Sequence, residues 1–307
     1  MMESFIRYFL LAVLYVTCLV GFTVNMIMVV ANFMKWKTLR SLPACDKILS
    51  SLAISRGLSF ISIFSWNSVF RFFPWIMNNS LVLSTFYIQF MFIFYSSHWL
   101  ATLLCVFYCM KIVTYNYKLF IFLKTRISTM VPQLILSSLL ISLISSLPFG
   151  WYGYDLKLQN LSNHSTGNMT EYEVVTVVNL NNRFLIYAVG SFLPFVIFSV
   201  ANSLLIHFLL IHTRRMRSNE SHIQSPNLES HFKALKSMSL FLLLQIIFLI
   251  CMNLFISGTY LHIHFYILIY YVILCSPPLL HSLYMISSNS EVKKMFASVY
   301  LSLMRCF

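Results

Sequence analysis

Arg56 has the most unusual chemistry in the sequence because it lies inside an apolar run. It is the only charged residue in positions 48–70. If this run crosses a membrane, the charge costs at least about 2.5–3.5 kcal/mol to insert, so it should face neighbouring helices and a polar partner. Asn25 and the serines of the last apolar run are candidate partners. The sequence leaves two roles open for Arg56, a structural link between helices or a conformational switch.

The histidines offer weaker chemistry. His262 and His264 form a His-x-His pair, but zinc needs more ligands and none is evident nearby. We therefore expect no metal and no cofactor. His98, beside Trp99, either lines a cavity or bonds a neighbouring carbonyl group.

Aromatic residues and prolines mark other candidate positions. Phe90, Phe94 and Phe248 recur at helical spacing within apolar runs, which is typical of packing but also suits a ligand site. Pro194, Pro277 and Pro278 each remove a backbone hydrogen bond inside such a run, and each predicts either a static bend or a hinge.

The composition identifies the environment of these residues. The chain has 307 residues, of which 59% are hydrophobic and 9% are charged, whereas soluble domains carry about 25% charged residues. A lipid-facing surface explains the deficit. The net charge of +13 would suggest nucleic acid in a soluble protein. Here the basic residues lie between apolar runs without any nucleic-acid motif, and no catalytic constellation supports an enzyme.

The apolar runs predict an all-α membrane protein, a bundle of seven transmembrane helices. A bilayer core of about 30 Å requires about 20 helical residues. Residues 237–290 contain no Lys, Arg, Asp or Glu and would extend about 80 Å as one helix, so they must fold back, with Ser257-Gly258-Thr259 as the most turn-like point. The predicted spans are 8–34, 47–70, 84–110, 127–149, 184–211, 235–256 and 261–286.

The basic residues predict the orientation. Most of the 21 Lys and Arg residues lie in segments 35–47, 111–126 and 212–234 and in the C-terminal tail. Basic loops remain in the cytoplasm. We therefore expect a plasma-membrane protein whose N-terminus is extracellular and whose C-terminus is cytoplasmic. The basic loops suit anionic lipid or a cytoplasmic protein partner.

Glycosylation sequons give an independent indication of orientation. The predicted second extracellular loop, 152–182, contains three of them, and a fourth follows the second span. The candidate acceptors are Asn160, Asn163, Asn168 and Asn78. Another sequon, at Asn219, falls on the predicted cytoplasmic side and should stay unmodified.

Local motifs resemble one receptor family along nearly the whole chain. Span two contains Leu52-Ala53-Ile54-Ser55-Arg56, span three contains Trp99-Leu100-Ala101-Thr102, and span five contains Leu193-Pro194-Phe195. Span six opens with His231-Phe232-Lys233-Ala234-Leu235-Lys236, and span seven ends with Pro278 and His281-Ser282. These stretches closely resemble the vertebrate type 2 (bitter) taste receptors. The sequence lacks three features of most rhodopsin-like receptors: an Asp-Arg-Tyr motif after span three, an Asn-Pro-x-x-Tyr motif in span seven, and a cysteine that ties span three to the second outer loop. Bitter receptors lack them as well.

The resemblance implies a function and a set of site residues. It implies a bitter small-molecule ligand in a cavity on the outer half of the bundle and coupling to a gustducin-type G protein, followed by calcium signalling. The ligand-binding candidates are Phe90, Phe94, His98, Phe248 and Tyr271. The helix-network and switch candidates are Asn25, Arg56, Pro194, Phe248 and His281. The candidates that face the G protein are Lys111, His212, Lys233 and Lys236.

Departures from the family pattern keep alternatives open. Phe208 lies where the family has a small residue, which puts coupling efficiency in doubt, and Gln245 replaces a less polar residue and should find an interhelical partner. Because no acidic anchor is present at Tyr271, we expect neutral or weakly polar ligands. The alternatives are a non-signalling or poorly coupled relative, or a small-solute transporter or channel. The sequence also leaves open whether the protein forms homo- or hetero-oligomers.

Overall fold

Seven helices account for most of the described chain. The computed structural model describes residues 2–113, 118–151, 154–161, 171–178, 180–219, 239–240, 242–254 and 264–288. The helices are α1 (Met2–Leu39), α2 (Ala44–Phe72), α3 (Ser80–Ile112), α4 (Lys118–Ser146), α5 (Leu180–Asn219), α6 (Leu242–Leu254) and α7 (His264–Ser288). All except α6, whose described part is shorter, are long and apolar enough to cross a membrane. The predicted helical membrane bundle is confirmed.

The predicted outer loop at 152–182 contains a β-hairpin, which adds a small two-stranded element to the predicted all-α class. Strands β1 (Tyr154–Leu161) and β2 (Glu171–Val178) pair antiparallel, with Tyr154 opposite Val178 and Leu161 opposite Glu171. Residues 174–178 are valines and one threonine, and β-branched side chains favour strands.

Local signals fix the ends of the helices. Asn79 begins α3, since its side-chain Oδ1 accepts from the backbone N–H groups of Leu81 and Val82 at 3.0 and 3.3 Å. Arg40 follows α1 with a φ of 56°, a left-handed conformation that stops a helix. A 3₁₀ turn, Pro74–Asn78, joins α2 to α3, and Pro74 supplies the fixed φ that suits its first turn.

Helix α3 is the centre of the bundle. It contacts α2, α4 and α5 and is the most buried of the apolar helices, while α1 packs on α2 and α7. Gly190 of α5 permits a close approach, because a Cβ there would lie 2.6 Å from the Tyr95 hydroxyl of α3. Buried residues form two apolar clusters, one around Ile48, Leu104 and Leu205 and the other around Phe60, Tyr95 and Leu274.

Gly21 allows α1 to approach α2. A Cβ at Gly21 would lie 2.5 Å from Cζ of Phe60, whose ring is 1% exposed and has little room to move. We expect Gly21→Ala to lower the free energy of unfolding by about 1–3 kcal/mol, as overpacking does in protein cores. Thermal unfolding of the purified protein in detergent measures the effect.

Gly57→Ala is the matched control for Gly21→Ala. Its Cβ would meet the terminal methyl of Met26, a flexible group that can move aside. A loss of stability at Gly57→Ala equal to that at Gly21→Ala would contradict the role given to Phe60.

Candidate ligand site and buried polar network

Arg56 joins three helices in the middle of the bundle. Its Nη1 lies 2.6 Å from Nδ1 of His281 and 3.3 Å from Oγ of Ser282, both on α7. The Ser282 hydroxyl donates in turn to Oδ1 of Asn25 on α1 at 3.0 Å. The structure therefore brings together Asn25, Arg56 and His281, three of the predicted network residues, and adds Ser282, one of the serines considered as a partner.

The chemistry of the guanidinium assigns the His281 tautomer. A guanidinium only donates hydrogen bonds, so Nδ1 of His281 accepts and the ring carries its proton on Nε2. Arg56 and His281 are both buried, with 5% of each side chain exposed. The side-chain contacts of Arg56 on α7, His281 and Ser282, are neutral dipoles that reach its Nη1 atom.

Helices α3 and α6 meet through two pairs of side chains. Phe94 of α3 stacks on Phe248 of α6, with ring centroids 5.8 Å apart and an interplanar angle of 13°. One helical turn away, Gln245 Nε2 hydrogen-bonds His98 Nδ1, which supplies the interhelical partner expected for Gln245. We call these the aromatic pair and the polar pair. Both pairs join the same two helices, α3 and α6.

The predicted ligand residues pack against one another. Phe90 contacts Phe94 with centroids 4.4 Å apart. One cavity of about 10 Å³ lies beside Phe90 and Tyr271, and another of about 20 Å³ lies beside His98 and Phe248. Drug-sized ligands occupy about 300–1,000 Å³. In this conformation the aromatic side chains fill the space that the sequence assigned to a ligand.

Trp66 and Tyr87 belong to this aromatic region, although sequence reasoning did not single them out. With Phe86 and Phe90 they line the smaller cavity, and the Trp66 ring meets Phe86 and Tyr87 edge-on with centroids 5.6 and 5.3 Å apart. Phe86 precedes Phe90 by one helical turn, so helical spacing could have indicated the α3 residues. Nothing in the sequence marked Trp66.

Pro194 lies where α5 meets α3. The hydroxyl of Thr102 is within hydrogen-bond distance of two carbonyls, that of His98 in its own helix at 3.0 Å and that of Pro194 at 3.2 Å. The proline therefore coincides with a side-chain link between α3 and α5.

The two prolines of α7 lie beside the buried polar network. Pro277 has no N–H for the carbonyl of Ile273, and the hydroxyl of Ser276 donates to that carbonyl at 2.7 Å. Pro277 and Pro278 line the same cavity as Arg56 and His98.

The predicted cytoplasmic residues are only partly described. The Lys111 ammonium lies 5.9 Å from the centroid of the Phe107 ring, and His212 belongs to α5. Lys233 and Lys236 lie outside the described residues, as does the turn at Ser257-Gly258-Thr259. Phe208 is half-buried beside the cluster that contains Leu205.

The predicted glycosylation sites are likewise partly described. Asn78 ends the 3₁₀ turn and Asn160 lies in β1. Asn163 and Asn168 lie outside the described residues.

Comparison with known proteins places this bundle in a family. The family model described as "Taste receptor protein (TAS2R)" matches residues 1–304. The chain belongs to the TAS2R taste receptor family. Taste receptor type 2 member 39 of Rattus norvegicus is 31% identical over 90% of this chain and 86% of its own length.

Other relatives extend this likeness to primates and birds. Taste receptor type 2 member 4 of Gorilla gorilla gorilla is 33% identical over 74% of each chain. Taste receptor type 2 member 40 of Gallus gallus is 31% identical over 70% of this chain and 69% of its own length. The predicted family membership is confirmed.

Membership in the TAS2R family decides the class of protein. The chain is a bitter taste receptor of the G-protein-coupled class, a multi-pass protein of the plasma membrane and not an enzyme. A small-molecule ligand, a heterotrimeric G protein and the bilayer are its partners as a member of that class. The family favours the receptor over the transporter or channel that the sequence left open.

Proposed function

We propose that this TAS2R receptor binds a bitter small molecule between α3, α6 and α7 and activates a gustducin-type G protein, which raises cytosolic calcium. The observation that supports this most directly is the stack of Phe94 on Phe248, at positions where the resemblance implies ligand contact. A ligand that inserts between the two rings binds the separated arrangement better than the packed one. Only such a difference in affinity can shift the conformational equilibrium.

The polar pair would carry the movement toward the centre of the bundle. His98 follows Phe94 by one turn of α3, and Gln245 precedes Phe248 by one turn of α6. Separating the rings therefore strains the bond between Gln245 and His98. Arg56 and His281 line the cavity next to this bond, so α2 and α7 would respond as well.

The chemistry of the region favours neutral ligands. The residues that line the two small cavities are aromatic, apolar, amide, hydroxyl, histidine and arginine side chains, and none is acidic. A protonated amine would find no counterion there and would meet the buried Arg56 charge. We expect neutral or weakly polar agonists, and a response that depends on a protonated amine across a ligand series would contradict this.

A calcium-response screen tests the function. Cells that supply a gustducin-like G protein are expected to give calcium signals with members of a bitter-compound panel only when they express the receptor. Omitting the G protein should abolish the response. Ligand-evoked current without a G protein would favour a channel, whereas labelled-ligand binding without any signal would favour the poorly coupled relative, to which Phe208 points.

We propose that the 152–182 segment and the N-terminus face outside and that the C-terminus faces the cytosol. The basic segments 35–47, 111–126 and 212–234 support this orientation. An epitope tag inserted between Ser162 and Thr170 is expected to bind antibody on intact cells, and glycosidase treatment should lower the apparent mass. A tag in the C-terminal tail is the control and should need permeabilisation. The opposite pattern would invert the topology.

Lys233 and Lys236 are proposed to contact the G protein. Replacing both with Ala removes two positive charges from the predicted cytoplasmic end of the sixth span, and we expect the maximal calcium response to fall several-fold while ligand affinity is unchanged. Lys37→Ala, which changes a charge in the first basic segment, is the matched control. An unchanged response of the double variant at equal surface expression would count against this contact.

A further inference from the structure

A small cavity lies where α2, α3, α6 and α7 meet. Its volume is about 20 Å³, and its polar lining comes from Arg56, Ser97, His98, Gln245 and His281. This is room for a single water-sized particle, so it is far too small for an organic ligand.

Two hydrogen-bond donors on the cavity lining have no partner. Nε of Arg56 and Nε2 of His98 are buried and make no hydrogen bond in the described part of the chain. An amide nitrogen only donates, so the bond from Gln245 Nε2 makes Nδ1 of His98 the acceptor and places the ring proton on Nε2. Both unpartnered atoms are therefore N–H donors, and the half-buried Ser97 adds a hydroxyl that can also donate.

The charge around this cavity is unbalanced. Arg56 is 5% exposed, and none of the residues that line the cavity is acidic. Removing a cation from water costs several kcal/mol unless an opposite charge or several dipoles compensate. His281 and Ser282 provide neutral contacts to one nitrogen only, Nη1, which leaves the Nε side of the guanidinium without compensation.

We propose that this cavity binds one small monovalent anion, chloride at the salt concentrations of body fluids. The anion would accept from Arg56 Nε–H and His98 Nε2–H, with the Ser97 hydroxyl as a third donor. The volume excludes carboxylates and phosphates, and the guanidinium charge of Arg56 would repel a cation. The anion would bridge α2 and α3 beside the polar pair and stabilise their packing without agonist or G protein, so the inference does not rest on the proposed function.

Thermal unfolding of the purified full-length receptor, in detergent and without agonist, tests the site. Potassium chloride replaces potassium gluconate at constant ionic strength. The unfolding midpoint is expected to rise by about 2 °C when chloride reaches ten times its dissociation constant, and then to level off. Bromide should act like chloride, whereas sulfate, which stabilises proteins only by exclusion from their surface, should give no rise that saturates. An equal midpoint in all of these salts would mean that the cavity holds only water, and it would overturn the proposal.

Variants locate the effect. His98→Phe removes one of the two buried donors and should abolish the dependence on chloride, whereas Ser97→Ala should raise the chloride concentration for half the effect several-fold. The control is Ser142→Ala, a buried serine of α4 that bonds a carbonyl of its own helix at 2.7 Å and should leave the dependence intact. A chloride effect that persists in His98→Phe, or an unchanged chloride concentration for half the effect in Ser97→Ala, would refute this site. If His98→Phe does not fold, Ser97→Ala and the anion series decide.

Discussion

Replacing His281 with leucine is expected to lower the free energy of unfolding by about 2–3 kcal/mol, the value of a hydrogen bond to a buried charged group. The substitution removes the closest acceptor of the Arg56 guanidinium, at 2.6 Å, and leaves Ser282 at 3.3 Å as its remaining side-chain contact on α7. The charge stays in the bundle without adequate compensation. Cell-surface expression and the thermal unfolding midpoint of the purified receptor measure the loss.

Removing Arg56 itself should be less harmful than removing its partner. Arg56→Met eliminates a charge that costs about 2.5–3.5 kcal/mol to insert, although it leaves polar groups on His281 and Ser282 without their partner, at about 1–3 kcal/mol. These opposing terms nearly cancel. The double variant with His281→Leu should recover most of the stability, as apolar replacements of buried ionic groups do.

The order of stabilities is therefore the test of the Arg56 network. His281→Leu should be the least stable variant, and Arg56→Met and the double variant should lie close to the wild type. His207→Leu, at an exposed position of α5, is the matched control and should change little. Additive losses in the double variant would show that Arg56 and His281 stabilise the bundle independently.

The sequence predicted the helices because placing a charged side chain in the bilayer costs more free energy than most single contacts contribute. Runs without Lys, Arg, Asp or Glu marked the apolar helices that the structure contains, and the cost of inserting Arg56 required a partner that only a few polar residues could supply. The hairpin was missed because sequons and polar residues dominate segment 152–182. The β-branched run at 174–178 was a weaker signal for β2.

The details of the candidate site depend on how the helices are rotated against one another. Helical spacing put Phe90 and Phe94 on one face of α3, but it could not show that Phe248 of α6 stacks on Phe94. The polar pair is a similar case. The need of Gln245 for a partner followed from its polarity, whereas the choice of His98 required the relative position of α3 and α6.

The two contacts between α3 and α6 have different consequences for activation. The aromatic pair contributes surface that a ligand can use, but it must also be separated to admit one. The polar pair opposes separation, and it contributes much less apolar surface to a ligand. Side chains in the two pairs can therefore change agonist potency in opposite directions, even though they are one helical turn apart.

Phe248→Ala is expected to reduce agonist potency about tenfold. The variant no longer has to break an aromatic pair worth about 0.5–1.5 kcal/mol, but it loses an aromatic contact of the kind that contributes at least about 2 kcal/mol at a binding hot spot. The lost ligand contact is the larger of the two effects, and a net cost of about 1.4 kcal/mol corresponds to a tenfold loss of potency.

Gln245→Leu should instead raise basal calcium signalling and agonist potency, because it removes the bond to His98 that opposes separation of the two helices. Phe33→Ala, at an exposed position of α1, is the control and should leave potency unchanged. If Phe248→Ala and Gln245→Leu shift agonist potency in the same direction at equal surface expression, the aromatic pair and the polar pair do not have separate roles.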